Sequence, residues 1–211
     1  MMIKQKSKQM LIVIAVLAGC FFFLGWANNL DEIKQNAQNI RSIQADFVQE
    51  KHMKILIKPL ISEGKLYFST PQSLRWEYTR PIRSILVMHN EDIKRYVMSS
   101  EGMIEDSSAA LQAMQVFLEE ISSWIQGDFE KNPDFTATLQ PSGIILLKPK
   151  NSAMMNFIEK IALKLTDTPG VIESATIYET PTTYTLIKFN NTKINQKINE
   201  SVFKGINCSD N

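Results

Sequence analysis

The sequence predicts an α+β fold in which one large antiparallel sheet is covered by amphipathic helices. Three observations predict it. Apolar and polar residues alternate with period two through most of the chain, the pattern of a sheet with one apolar face and one wetter face. Successive alternating runs recur about every ten residues with turn residues between them, a spacing that favours antiparallel hairpins. Two segments instead repeat their apolar residues at helical spacing, each giving one apolar face to lay on the sheet.

The first helical segment is Asn29 to Arg41. Asn29 is its expected cap, with Glu32 three residues on. Leu30, Ile33, Ala37 and Ile40 form its apolar face. Strands follow. Ile43, Ala45 and Phe47 point to one side, with Gln44 and Asp46 between them. Leu66 and Phe68 alternate with Lys65, Tyr67 and Ser69; Leu74, Trp76 and Tyr78 alternate with Arg75, Glu77 and Thr79. On this parity Arg75 is expected to face solvent. Pro71 and Pro81 punctuate these runs as turns, and Ser84 to Met88 and Ile93 to Met98 continue the series. The second helix is Ser107 to Gln126, with Leu111, Met114, Phe117, Leu118, Ile121, Trp124 and Ile125 as a broad stripe and Gly127 as its stop. Strands resume at Phe135 to Gln140, Ile144 to Lys148, Phe157 to Leu165, Ile172 to Tyr178 and Thr183 to Phe189. Ile194 to Phe203 is expected to hold a short closing turn or helix. Periodicity does not decide whether the space under the helices is filled or hollow.

Two parts are expected along the chain of 211 residues: a signal peptide, 1–27, and one domain, 28–211. Lys4, Lys6 and Lys8 precede an apolar run from Met10 to Leu24, and small residues in Gly25-Trp26-Ala27 suit cleavage before Asn28. The apolar run is shorter than the roughly 20 residues of a membrane span. Leu17-Ala18-Gly19-Cys20 also fits a lipobox, in which Cys20 would be acylated. The rings of Phe21, Phe22, Phe23 and Trp26 stand where a lipid-anchored chain needs a polar tether, so cleavage after Ala27 is the favoured reading. Cleavage removes three lysines and no acid, turning 23 basic and 22 acidic residues into 20 and 22, a formal charge of −2. No basic footprint for nucleic acid exists. Of the two cysteines only Cys208 then remains, so no internal disulfide is available.

The residues offer little chemistry. His52 and His89 are the two histidines, and neither has a second metal-type ligand at helical or hairpin spacing. No Gly-x-Ser-x-Gly elbow and no glycine-rich phosphate loop occurs, with 8 glycines dispersed along the chain. Asp31-Glu32 and Glu119-Glu120 are neighbours on helices and do not face each other. No catalytic residue, metal or cofactor is expected, and the protein is not expected to be an enzyme. Large rings (Phe47, Phe68, Trp76, Phe117, Trp124) and soft methionines stand out instead, either as plain core or as an adaptable ligand surface.

Ile43-Gln44-Ala45-Asp46-Phe47-Val48-Gln49, then Gly64-Lys65-Leu66-Tyr67-Phe68-Ser69-Thr70-Pro71, then Leu74-Arg75-Trp76-Glu77-Tyr78 before Pro81, resemble the LolA family in order and spacing. Leu147-Lys148-Pro149-Lys150, the segment Thr185 to Asn195, and Ile198 to Phe203 extend the resemblance through the second half. LolA proteins are periplasmic carriers of outer-membrane lipoproteins. The resemblance implies an incomplete β-barrel, a curved antiparallel sheet with helices as a lid, around a hydrophobic cavity for lipoprotein acyl chains. It implies a monomer that accepts cargo from an inner-membrane lipoprotein-releasing transporter and passes it to an outer-membrane acceptor. By position, the ligand-binding candidates are Phe47, Leu66, Phe68, Leu74, Trp76 and Tyr78 on strands, and Met114, Phe117, Leu118 and Ile121 on the helix. Tyr78 needs a polar partner for its hydroxyl if buried. A charge at Trp76 or Leu118 is expected to weaken cargo binding more than folding. One departure matters: many family members carry an arginine, tied to lid closure and cargo release, immediately before the strand-loop proline, where this chain has Thr70. That leaves open a carrier or export accessory for another amphiphile, such as a glycolipid or pigment lipid, and separately a Cys20-lipidated interaction protein.

Overall fold

A computed structural model describes residues 30–206 except 91, 107–109 and 169. The expected signal peptide, Cys20, the expected cap Asn29, the start of the second helix and Cys208 lie outside the described residues. Helix α1 is Leu30–Gln38 and α2 is Ala110–Ile125; a one-turn α3, Ser152–Met155, was not anticipated. The strands are β1 Ser42–His52, β2 Leu60–Ser69, β3 Ser73–Arg80, β4 Ser84–His89, β5 Asp92–Ser99 and β6 Gly102–Glu105 before α2. After it come β7 Phe135–Leu139, β8 Ile144–Pro149, β9 Lys160–Leu165, β10 Ile172–Thr180 and β11 Thr183–Ile194. A 3₁₀ turn, Glu200–Phe203, closes the described chain as expected.

All eleven strands belong to one antiparallel sheet in the order β6-β5-β4-β3-β2-β1-β11-β10-β9-β8-β7. Each strand pairs with its neighbour in sequence except at the centre, where β1 pairs with β11, Phe47 opposite Phe189. The strands β6 and β7 are the free edges, so the barrel is incomplete, and the chain crosses from one edge to the other through α2. The expected α+β fold of a curved sheet under helices is the fold observed.

The inner face is continuous. Ile43, Ala45 and Phe47 of β1, Leu66 and Phe68 of β2, and Leu74 and Trp76 of β3 join Ile145, Leu163, Ala175 and Ile187 from the other half in one buried cluster. Helix α1 lays Ile33 on this cluster, and α2 lays Leu118, Ile121, Trp124 and Ile125 on it. Helix α2 ends in a Schellman turn: Gly127 at φ +73 lets its N–H reach Trp124 O at 3.0 Å while Asp128 N–H reaches Ser123 O at 2.8 Å. The same glycine admits α1, because a β-carbon there would lie 2.7 Å from Lys34 Cα.

Arg75 corrects the sequence reading. It is buried on the outer face, not solvated. Residues 198–206 fold back over β3, β4 and β5, where Ile85, Val87, Tyr96 and Phe203 form a second cluster with Ile198 and Val202 beside it. Under this flap Arg75 donates through Nε and Nη2 to Glu77 Oε2 at 3.0 and 2.8 Å, and through Nη1 to the carbonyls of Val202 and Gly205 at 3.2 and 3.0 Å. Arg83 Nη2 reaches the other oxygen of Glu77 at 3.1 Å. A buried guanidinium surrounded by acceptors on all sides explains how a charge sits here. The expected strand from Phe157 is also shorter than read: β9 starts at Lys160, and Phe157 stands exposed before it.

Candidate functional site

The strand candidates converge through register. Phe47 lies opposite Gly64, Leu66 opposite Trp76, Phe68 opposite Leu74, and Gly64 opposite Tyr78. Side chains on one face of adjacent antiparallel strands meet across such pairs. Phe47 therefore stacks on Trp76, ring centroids 4.2 Å apart at 29°, and meets Tyr78 edge-on at 5.4 Å. Gly64 makes the room: a β-carbon there would lie 2.3 Å from Phe47 Cζ and 2.2 Å from the Glu77 carbonyl oxygen. Phe189 on β11 and Phe117 on α2 approach Trp76 edge-on at 6.2 and 5.3 Å. The result is an aromatic cluster in the preferred offset and edge geometries, joining both halves of the sheet to the helix.

The ten candidates divide by exposure. Phe47, Leu66, Phe68, Leu74, Trp76, Leu118 and Ile121 are buried, with Phe68, Leu74 and Leu118 at 0%. Tyr78, Met114 and Phe117 are half-buried against the same cluster. The Tyr78 hydroxyl donates to Gln49 Oε1 at 2.9 Å, supplying the polar partner its position requires. Burial, the largest influence on the phenol, raises its pKa above the ordinary tyrosine value. The indole Nε1 of Trp76 is buried without a hydrogen-bond partner among the described residues.

Two spaces border these residues. The inner one, enclosed by Ile43, Ala45, Leu66, Ile121, Trp124, Val171 and their neighbours, offers about 20 Å³ to the centre of a water molecule. That is room for about one water. The outer one is a groove of about 200 Å³ lined by Trp76, Tyr78, Ser84, Ile85, Leu86, Arg95, Met114 and Phe117. The inner space is thus nearly filled, and the groove between β3–β5 and α2 is an accessible apolar space beside the candidates. Charged substitution at Trp76 or Leu118, expected from sequence to weaken cargo binding more than folding, meets a fully buried position in both cases, where a charge also costs stability. Met114 and Phe117 are the positions where a charge reaches the groove without being driven into the core.

Sequence reasoning missed Arg95, which faces the groove and pairs with Asp106. The alternation Ile93-Arg95-Val97 was the available signal. It also missed Phe189, whose segment read simply as a strand, and Val171, which stands just before the expected strand from Ile172. Thr70 lies far from the groove, at the opposite end of β2 and β3; its N–H donates to Arg41 O at 2.9 Å. The histidines have local partners: His52 Nε2 lies 3.0 Å from Glu50 Oε2 and its ring stacks on Tyr184, while His89 Nδ1 lies 2.8 Å from Ser73 Oγ. Among the described residues no three His, Cys, Asp or Glu side chains are grouped to hold a metal ion.

Comparison with known proteins places this geometry. The family model described as outer membrane lipoprotein carrier protein LolA matches residues 38–205. An outer-membrane lipoprotein carrier protein of Francisella tularensis subsp. tularensis (strain WY96-3418) is 26% identical over 189 residues, covering 87% of this chain and 89% of its own. One from Dechloromonas aromatica (strain RCB) is 24% identical over 198 residues, covering 89% of each chain. Among solved structures, an uncharacterized conserved protein from Thermus thermophilus has the same fold, with a TM-score of 0.51, 11% identity and coverage of 86% of this chain and 93% of its own.

Proposed function

The chain belongs to the LolA family of outer membrane lipoprotein carrier proteins, and from that premise we propose that it shuttles lipoproteins from the inner to the outer membrane across the periplasm. In this reading residues 1–27 are the export signal and 28–211 the carrier. The acyl chains enter the groove beside Met114 and Phe117 and continue inward as α2 swings off the sheet, withdrawing its own Leu118 and Ile121 from the buried cluster they share with Leu66 and Trp76. Phe47, Phe68, Leu74 and Tyr78 complete the lining. The protein works as a monomer, taking cargo from a lipoprotein-releasing transporter and giving it to an outer-membrane acceptor.

The observation that carries this reading is the apolar groove bordering a core that α2 closes. Exposing an acyl chain to water costs about 0.8 kcal/mol per methylene. A carrier must offset that cost without binding so firmly that transfer stops. A lid whose own apolar face fills the cavity when empty meets the requirement: cargo replaces helix contacts rather than filling a standing void. Burial of the helix face and burial of the cargo then compete. No bond is made or broken, and no cofactor is required.

The test is release. Purified protein, lacking residues 1–27, is added to spheroplasts of its host, and the soluble fraction is examined for lipoproteins bound to it. Stoichiometric release is expected. A folded protein that releases none would overturn the lipoprotein reading. Thr70 in place of the usual arginine would then favour another amphiphile, and lipids extracted from protein purified from its host would identify it. The mass of the mature N-terminus separates a chain cleaved after Ala27 from one acylated at Cys20.

A further inference from the structure

Among the described residues, one end of the barrel gathers most of the large apolar side chains exposed to water. The β1–β2 hairpin projects there, with residues 53–59 beyond the last paired residues Lys51 and Leu60. At its tip Ile57 is fully exposed and Ile55 is 85% exposed, with Leu56, Leu60 and Ile61 also exposed. The β3–β4 turn reaches the same end, since Tyr78 pairs with Ser84 beside it, and presents Ile82 at 69% exposure. So does the segment before β9, where Lys160 pairs with Tyr178, presenting Phe157 at 74%. Isolated exposed aliphatic residues need no explanation, but a cluster on one rim does.

Charge at this tip is one-sided. From Lys51 to Ser62 the sequence has no acid, and Lys54 and Lys58 bracket Ile55-Leu56-Ile57. The acids at the neck of the hairpin are already matched: Glu50 with Lys188 at 2.9 Å, Glu63 with Arg80 at 3.6 Å, and Glu179 with Lys51. Lys54 and Lys58 pair with no acid among the described residues. We propose that this tip docks on an anionic lipid bilayer, its aliphatic residues entering the boundary between headgroups and acyl chains and its two lysines meeting lipid phosphates. A protein partner fits the chemistry less well. Interface cores are enriched in aromatic residues and arginine, whereas the hairpin tip itself carries aliphatics and lysine, the pairing that suits an acidic membrane surface. The placement has a use, and here the inference extends the carrier reading. The groove is lined by Tyr78 and Ser84 at this same end, so a docked tip brings its mouth to the bilayer surface.

The test is flotation with protein-free vesicles, using the protein as its host processes it and without cargo. Vesicles of phosphatidylglycerol and phosphatidylethanolamine are compared with neutral phosphatidylcholine. Binding to the anionic vesicles is expected, weakened by added salt. Replacing Lys54 and Lys58 together with serine should weaken it about 25-fold, at about fivefold for each lysine. Leu56→Ser with Ile57→Ser should weaken it at least tenfold. These tip variants should still bind a fluorescent fatty acid in solution as the parent does, which separates failure of docking from failure of the carrier reading. Three results would overturn the proposal: no flotation with anionic vesicles, flotation that ignores the tip substitutions, or a dimer in solution that Ile57→Ser dissolves, since the tip would then be covered by a second copy.

Discussion

Gly64→Ala is the sharpest test of how the aromatic cluster is built. In an ordinary strand this substitution stabilises, because alanine loses less backbone freedom on folding, by about 0.5–1 kcal/mol. Gly64 has no left-handed backbone to defend; its constraint is space. The new methyl would sit 2.2 Å from the Glu77 carbonyl oxygen and 2.3 Å from Phe47 Cζ. The first contact is backbone, held in the β2–β3 ladder. The second is a buried ring with Trp76 stacked on it at 4.2 Å. Neither side yields freely, so the cost lies at the upper end of the overpacking range, about 3 kcal/mol. For a domain of this size that lowers Tm by about 6–12 °C. Thermal and urea unfolding measure it, and Phe47→Leu in the same background should recover part of the loss by removing the ring from the contact. An unchanged or raised Tm would refute the packing account, because without the clash the sign of the effect reverses.

Other perturbations probe separate features. Phe117→Asp should weaken acyl-ligand binding at least tenfold, about 1.4 kcal/mol, and cost about 1–2 kcal/mol of stability through the lost edge contact with Trp76; fluorescent fatty-acid titration beside a melting curve reads both, and Phe117→Leu, which loses the same ring contact without adding charge, should bind nearly as the parent does. Arg75→Ala should cost about 3 kcal/mol by urea unfolding, the low end for a broken buried pair, since Arg83 still faces Glu77. Glu120 accepts from Asn132 Nδ2 at 2.6 Å, but burial, the larger influence, raises its carboxyl pKa above the ordinary value. A raised folded-state pKa for an acid favours the protonated form, so its contribution to stability falls as pH rises from the ordinary glutamate range, roughly 4, through the raised value. Glu120→Gln should therefore stabilise at neutral pH, and the gain should vanish below about pH 4; Tm measured across that range checks the sign.

The motifs that mark the family in sequence turn out to be parts of one contact. Phe47, Gly64 and Trp76 come from three separate segments, and register brings them together as ring, gap and ring. The alternation that made them legible reports only which face a residue is on, and that sufficed for the inner face. It failed for Arg75 because the outer face is covered by residues 198–206, a segment with no period of its own. The beginning of β2 was missed because Leu60 and Ile61 are both exposed and break alternation. Phe157 was read into a strand on hydrophobicity alone, although its place is on the exposed rim. Nothing in the spacing of Leu118 and Ile121 distinguishes a lid from a core helix; that depends on how closely the stripe fills the space beneath it.

The central pairing of β1 with β11 also governs how the molecule comes into being. Hairpins such as β1–β2 and β10–β11 need only local loops to close, but Phe47 meets Phe189 only after nearly the whole chain is present. Such distant pairings carry the largest loop-closure cost and slow folding. Until then β1 offers an unpaired backbone edge flanked by Ile43, Ala45 and Phe47, the kind of surface that captures other chains. Synthesis order thus leaves the first strand waiting for the last, and a chain interrupted before β11 would hold two half-sheets with no ladder between them.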